Sequence, residues 1–294
     1  GLRPRAENSM NELKLSPTGV LRYDTCPRQA LFYLQGWRTK AKADALVFGS
    51  VVHEVLAGYH AGTLPPDQLG AAWDQKWSAA ITQPIAYGAE RTPEGLRQTG
   101  AALFAAYHGV WQATGLQTLR DDQGPCVERR LFVRLPRAQV LFEGVIDLVA
   151  TRDGPPAIVD HKSPGAKPDP NFAEKSDQLL AYQALFDANA PLHGLGLAAQ
   201  IGFAALVKRA VPKTSRGTGP EVLPPLLVER RPAAEVAAYW EKVTDTASAM
   251  RAGSFRRRSL AEHNSPCKLC EYEAACWRND FTGLTRGQDR TLDL

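Results

Sequence analysis

The sequence predicts an α/β fold, a central mixed β-sheet flanked by helices, and three changes of texture along the chain carry that expectation. The N-terminal part is helical in period: Ser16 is a good N-cap with Pro17 at the first helical position, and the pattern runs on through Leu21 and Tyr23. Residues 41–59, 67–80 and 92–114 read as further helices. The middle then turns to Val, Ile, Leu and Phe bounded by Gly, Pro and Asp, so residues 126–135, 139–150 and 157–161 read as consecutive strands. A helix over 172–188 follows, then strands over 197–207 and 221–229 and a last helix over 232–251. Helices, a hairpin-rich sheet and a crossover helix leading to more strands combine antiparallel and parallel pairing in one sheet.

Of 294 residues, 44% are hydrophobic and 22% charged, the balance of a globular chain that can bury a core. Lys and Arg total 35 against 31 Asp and Glu, a formal charge of +4 that permits a phosphate-rich partner without requiring one. No run approaches the ~20 apolar residues of a membrane span and no apolar secretory core stands near the start, so a cytoplasmic protein without membrane contact is expected. Internal repeats are absent, and residues 10–282 are expected to form a single domain. Residues 1–9, polar and ahead of Met10, read as an expression remnant or disordered lead, and 283–294 as a flexible tail. With no Gly-Lys dipeptide there is no Walker A loop, so unwinding would have to come from a helicase or recombination partner.

The most informative stretch runs from Leu141 to Lys162. Asp153-Gly154 is a hairpin signal, because a type I′ turn needs positive φ at both central positions. With that turn Asp147 and Asp160 fall opposite one another on one face, their Cβ atoms about 4.5–5.5 Å apart. Pro155 and Pro156 leave a one-residue shift of this register open. Two facing carboxylates among Val and Ile repel unless something positive lies between them, and their oxygens suit hard ions such as Mg2+ or Mn2+. Lys162 projects from the same face by strand alternation and can orient a water or steady charge on a phosphate. A lone D-x-K is more often strand-end polarity; the facing Asp147 is what makes this one a candidate catalytic site.

These residues resemble those of the PD-(D/E)XK nuclease superfamily, specifically its RecB-like branch. The matching pieces occur in family order: Gly49-Ser-Val-Val-His53, Gly144-Val-Ile-Asp147, Asp160-His-Lys162 and Gln178-Leu-Leu-Ala-Tyr182. The resemblance implies a restriction-endonuclease-like core in which His53, Asp147, Asp160 and the backbone carbonyl of His161 bind the catalytic Mg2+ or Mn2+ and Lys162 helps activate the attacking water. It further implies that Gln178 and Tyr182, four apart and so on one helix face, line the nucleic-acid channel. On its residues alone, His53 on the apolar side of its helix reads as a hydrogen-bonded core histidine, so its role as a ligand comes from the resemblance.

The five cysteines are an odd number in a chain without an export signal, which argues against a disulfide framework. Cys267, Cys270 and Cys276 crowd together near the end and Cys26 stands near the start. Four thiolates bind zinc or an iron-sulfur cluster, and composition does not separate the two. Joining Cys26 to Cys267 closes a loop of more than two hundred residues, which by the loop-entropy relation restricts the unfolded chain by about 5 kcal/mol. Such a group would staple the N- and C-terminal parts, and Cys126 is left as a small buried residue. The arrangement resembles iron-sulfur nucleases of the same branch, of the AddB nuclease-domain and CRISPR-adaptation exonuclease type, which implies a 4Fe-4S cluster with zinc as the alternative.

The function expected from the resemblance is a metal-dependent deoxyribonuclease, an exonuclease on single-stranded DNA or duplex ends in repair, recombination or defence. The alternative is a catalytically idle nucleic-acid-binding subunit of a larger helicase-nuclease or adaptation complex. Asp147, Asp160 and Lys162 together argue against idleness, since carboxylates that repel each other need a metal. Lys208, Arg209, Lys213 and Arg256–Arg258 are candidate phosphate contacts.

Overall fold

The computed structural model describes residues 12–214, 216–258 and 265–290; the stretch 1–9 expected to be a remnant or disordered lead lies outside them. In chain order these residues form β1 (Leu13–Leu15), α1 (Pro17–Thr25), α2 (Pro27–Leu34), β2 (Trp37–Thr39), α3 (Asp44–Ala61), α4 (Leu69–Ala80), α5 (Pro93–Ala113), β3 (Val127–Leu135), β4 (Val140–Thr151), β5 (Ala157–Lys162), α6 (Asp177–Asn189), β6 (Gln200–Val207), β7 (Leu226–Glu229), α7 (Ala233–Arg251), α8 (Glu273–Arg278) and β8 (Leu284–Arg286), with two-residue bridges and 3-10 turns between them. They group into two compact units. Residues up to 40, 132–144 and from 233 onward make one, and residues 41–131 and 145–232 make the other.

In the second unit the sheet is mixed, as expected. β4 and β5 pair antiparallel through Ala150 with Ala157, Val149 with Ile158 and Leu148 with Val159. β5 then pairs in parallel with β6, reached through the crossover helix α6, and β7 lies antiparallel on the far side of β6. Leu148, Val159, Ala204 and Leu206 turn one face of this sheet toward α3, α4 and α5, whose Val52, Val55, Trp73, Trp77, Leu103 and Phe104 complete an apolar core. Trp73 and Trp77 stack at 5.4 Å between ring centres and are fully buried, contacts worth about 0.5–1.5 kcal/mol beyond their area. α5 can approach Trp73 because residue 100 is glycine: a Cβ there would stand 2.0 Å from the indole. α6 packs against β5 and β6.

In the first unit Ser16 caps α1 by accepting from Gly19 N–H at 3.1 Å, and Pro17 opens it. The helical run expected to continue past Tyr23 breaks at Pro27, which has no N–H to donate; Cys26 turns to extended backbone and α2 starts afresh. β1 runs parallel to Val140–Phe142 of β4. Residues 284–286, expected inside a flexible tail, form instead β8, antiparallel to β2. A small apolar cluster of Phe32, Tyr272, Ala275 and Leu284, flanked by Trp37 and Phe281, holds that end of the chain.

Three further expectations are corrected in detail. The β4–β5 connection is not a two-residue type I′ turn but a loop over 152–156 in which only Asp153 takes positive φ, at 50°. Pro155 and Pro156 cannot donate to the ladder, so pairing stops short of the turn although its register is the expected one. The strand expected over 221–229 is cut by Pro224 and Pro225 into Glu221–Val222 and β7. The helix expected from 172 starts only at Asp177, where Ser176 accepts from Leu179 N–H at 3.3 Å.

Candidate active site

Asp147 on β4 and Asp160 on β5 occupy the pair of positions next beyond Leu148 and Val159, on the face opposite the α3–α5 core. Both carboxyls are buried, Asp160 with 1% of its surface exposed and Asp147 with 7%. Burial raises both carboxyls above the usual range, and the neighbouring Asp147 charge adds to burial in bringing Asp160 to about 7, against the opposing pull of Lys162.

Lys162 lies on the same face as Asp160, with Nζ 2.6 Å from Asp160 Oδ2. The approach is not aligned as a hydrogen bond, so among the described residues that buried oxygen accepts none. Lys162 instead donates to Gln178 Oε1 at 2.8 Å, and Gln178 Nε2 donates to Tyr182 Oη at 2.8 Å. Being one turn apart on α6, Gln178 and Tyr182 form a bracket that holds the lysine extended along the site. Burial, then the charges of Asp160 and Asp147, push the Tyr182 phenol upward and keep it neutral.

His53, on α3, reaches the site from another direction. Its Nε2 lies 2.9 Å from the His161 carbonyl, and its Nδ1 lies 3.4 Å from Asp147 Oδ2 and 3.9 Å from Glu128 Oε1. A carbonyl only accepts, so the proton sits on Nε2 and Nδ1 offers a lone pair. Asp147 Oδ2 also accepts from the His161 backbone N–H at 2.7 Å. Of the four ligands expected for the metal, the structure therefore brings His53, Asp147 and the backbone of His161 into direct contact, while Asp160 adjoins them through Lys162 and its neighbour Asp147.

Glu128 was not foreseen. Ligand atoms of His53, Glu128 and Asp147 all lie within 4.8 Å of one another. Glu128 sits in β3 with φ at 45°, a left-handed backbone that costs a non-glycine residue of order 1–3 kcal/mol. Burial raises its carboxyl as well. In the sequence it stands beside Arg129 and Arg130 and reads as surface polarity; alternation gives no sign of the positive φ at which this exposed carboxylate meets His53.

These donors fit a divalent cation. Three lone-pair donors converge with a single backbone N–H among them, and a further buried carboxylate oxygen lacks a hydrogen bond among the described residues. A second acid-histidine group, Asp121 with Asp122 and His193, differs: Arg129 holds Asp121 with two hydrogen bonds at 2.8 and 2.9 Å.

In the other unit, Cys26, Cys267, Cys270 and Cys276 line one small cavity together with Arg28, Phe32, Tyr272 and Trp277. All four are free thiols; burial pushes Cys270 up to about 11 and raises Cys276, the latter against the pull of Arg257 and Arg28. Cys126 is buried apart from them, beside Arg129 at 3.6 Å. Three of the candidate phosphate contacts are otherwise engaged, Lys208 donating to the Ser163 carbonyl, Arg209 to Glu221 at 3.4 Å, and Arg258 to the carbonyls of Asp24 and Thr25.

Paired acids and a lysine stand on a mixed sheet that is flanked by α3–α5 on one face and by α6, beside the lysine, on the other. The chain belongs to the PD-(D/E)XK nuclease superfamily, whose family model matches residues 14–277. No curated protein matches the sequence. Among the described residues no helix is long and apolar enough to cross a membrane.

Proposed function

We propose that the protein is a divalent-metal-dependent deoxyribonuclease of the RecB-like branch, cutting exonucleolytically on single-stranded DNA or duplex ends in repair, recombination or defence. The observation that carries the reading is the buried Asp147–Asp160 pair with His53 and Glu128 converging on Asp147. His53, Asp147, Asp160, Glu128 and the carbonyl of His161 are the groups to hold Mg2+ or Mn2+, which when bound supplies Lewis acidity toward the phosphodiester. Lys162 carries the catalytic N–H donors: bracketed by Gln178, it is poised to orient the attacking water or to steady charge on a phosphate oxygen. Gln178 then faces the nucleic acid from α6, steadied by the hydroxyl of the buried Tyr182 behind it.

The four-cysteine site is proposed to hold a 4Fe-4S cluster, with zinc as the alternative; four thiols lining one cavity support a soft metal. The whole chain from 10 to 282 is read as one nuclease domain, and a helicase or recombination protein as its partner. Incubation with 5′- and 3′-labelled single strands in Mn2+ or EDTA tests the activity. Cleavage is expected with metal only and is expected to vanish in a folded Asp160→Ala variant; undiminished cleavage by that variant refutes the assignment.

A further inference from the structure

The face of β5 opposite Asp160 carries a buried polar row that the site as described leaves without a task. The His161 ring points into the α3–α5 core, where its Nε2 meets Tyr107 Oη at 3.0 Å, and the same hydroxyl meets His60 Nε2 at 2.7 Å. The His60 and His161 rings stack at 5.3 Å and 27°, and Trp111 closes on His60 edge-on at 4.5 Å. All three members of the row are buried, at 5% exposure or less.

A hydroxyl has one proton to give, so of the two imidazole nitrogens it bridges, one donates and the other accepts. His161 Nδ1 lies 3.9 Å from Asp147 Oδ2, so the ring borders the acid that its own N–H holds. Either order of donation ties both rings to the one hydroxyl, so the His161 ring is anchored whichever nitrogen carries the proton. Residue 161 thus meets the site three times: through this ring, through its N–H on Asp147 Oδ2 at 2.7 Å, and through its carbonyl under His53 Nε2 at 2.9 Å. A side chain fixed at its far end fixes the backbone that bears it.

We propose that Tyr107 and His60 are positioning residues: their relay locks the His161 ring, and with it the amide and carbonyl that orient Asp147 and His53 for the metal. The proposal rests on the metal-site reading above. A buried polar network that serves stability alone is the competing account, and the molecule holds its own comparison. Tyr59 Oη lies 2.8 Å from His108 Nδ1, a second tyrosine–histidine bond of the same chemistry. Among the described residues it makes no hydrogen bond to His161.

The test is Mn2+ affinity of the full chain, read by the electron paramagnetic resonance of free Mn2+, with circular dichroism to confirm folding. Tyr107→Phe is expected to weaken binding tenfold or more and to lower kcat with KM for DNA unchanged, the scale of lost support behind a metal ligand. Tyr59→Phe is expected to stay within twofold of the parent. Should Tyr107→Phe fail to fold, His60→Gln at the outer end of the row serves instead, with at least a threefold weakening expected. Binding by Tyr107→Phe or His60→Gln equal to that of Tyr59→Phe, while Asp147→Asn binds no Mn2+, overturns the positioning role and leaves the metal site standing. Parent protein that binds Mn2+ no better than Asp147→Asn overturns the metal site itself.

Discussion

Asp160 is held in a place where its charge is unwelcome, and that has a measurable consequence. Its folded-state value of about 7 stands above the ordinary aspartate value of 3.8, so between these two pH values the folded chain binds more protons than the unfolded one. Stability of the metal-free protein therefore falls as pH rises through that window. Thermal melts in EDTA from pH 4 to pH 8 are expected to show this decline, and Asp160→Asn to flatten it. Glu128 is a second such residue. Because its φ of 45° suits glycine, Glu128→Gly relieves about 1–3 kcal/mol of backbone strain against about 0.4–1 kcal/mol of added unfolded-state freedom, so it is expected to keep or raise the melting temperature while weakening Mn2+ binding. A melting temperature that drops instead shows that the carboxylate is stabilising the fold. The facing of Asp147 and Asp160 was legible in the sequence because strand alternation and a short connection between two apolar strands constrain it locally, and Lys162 followed by the same alternation. Glu128 was not legible, because a single reversed φ leaves no periodic trace.

At the scale of elements, prolines and glycines account for most differences between expectation and structure. Pro27 splits one expected helix, and Pro224 with Pro225 splits one expected strand. A loop lengthened by Pro155 and Pro156 replaces the tight turn without moving the register, since that is set by which faces are apolar. Gly100 acts through space rather than through φ. A methyl group there would overlap Trp73, so Gly100→Ala is expected to cost about 1–3 kcal/mol by forcing α4 and α5 apart, read as a lower melting temperature. An unchanged temperature means that the Trp73 ring can swing aside.

The molecule as a whole draws each of its two groups of chemistry from distant parts of the chain. Cys26 and the three late cysteines share one cavity, so a metal bound there closes a loop of more than two hundred residues. Cys267→Ser is expected to lose that metal and up to about 5 kcal/mol of stability, seen as loss of iron or zinc by elemental analysis together with a lower melting temperature. Parent protein free of both metals removes the staple.

By itself the sequence determined the class of fold, the register that sets two acids face to face, the lysine beside them, and the four cysteines available for a metal. Those are consequences of short-range periodicity and turn chemistry, which any stretch of a few residues already contains. The tertiary structure alone decided that His53 meets the carbonyl of a residue 108 positions away, that Gln178 catches Lys162, that Glu128 comes within reach of His53 and Asp147, and that the His161 ring is anchored by Tyr107. Each of these depends on where helices land on the sheet, and packing between elements far apart in the chain is written in no local pattern.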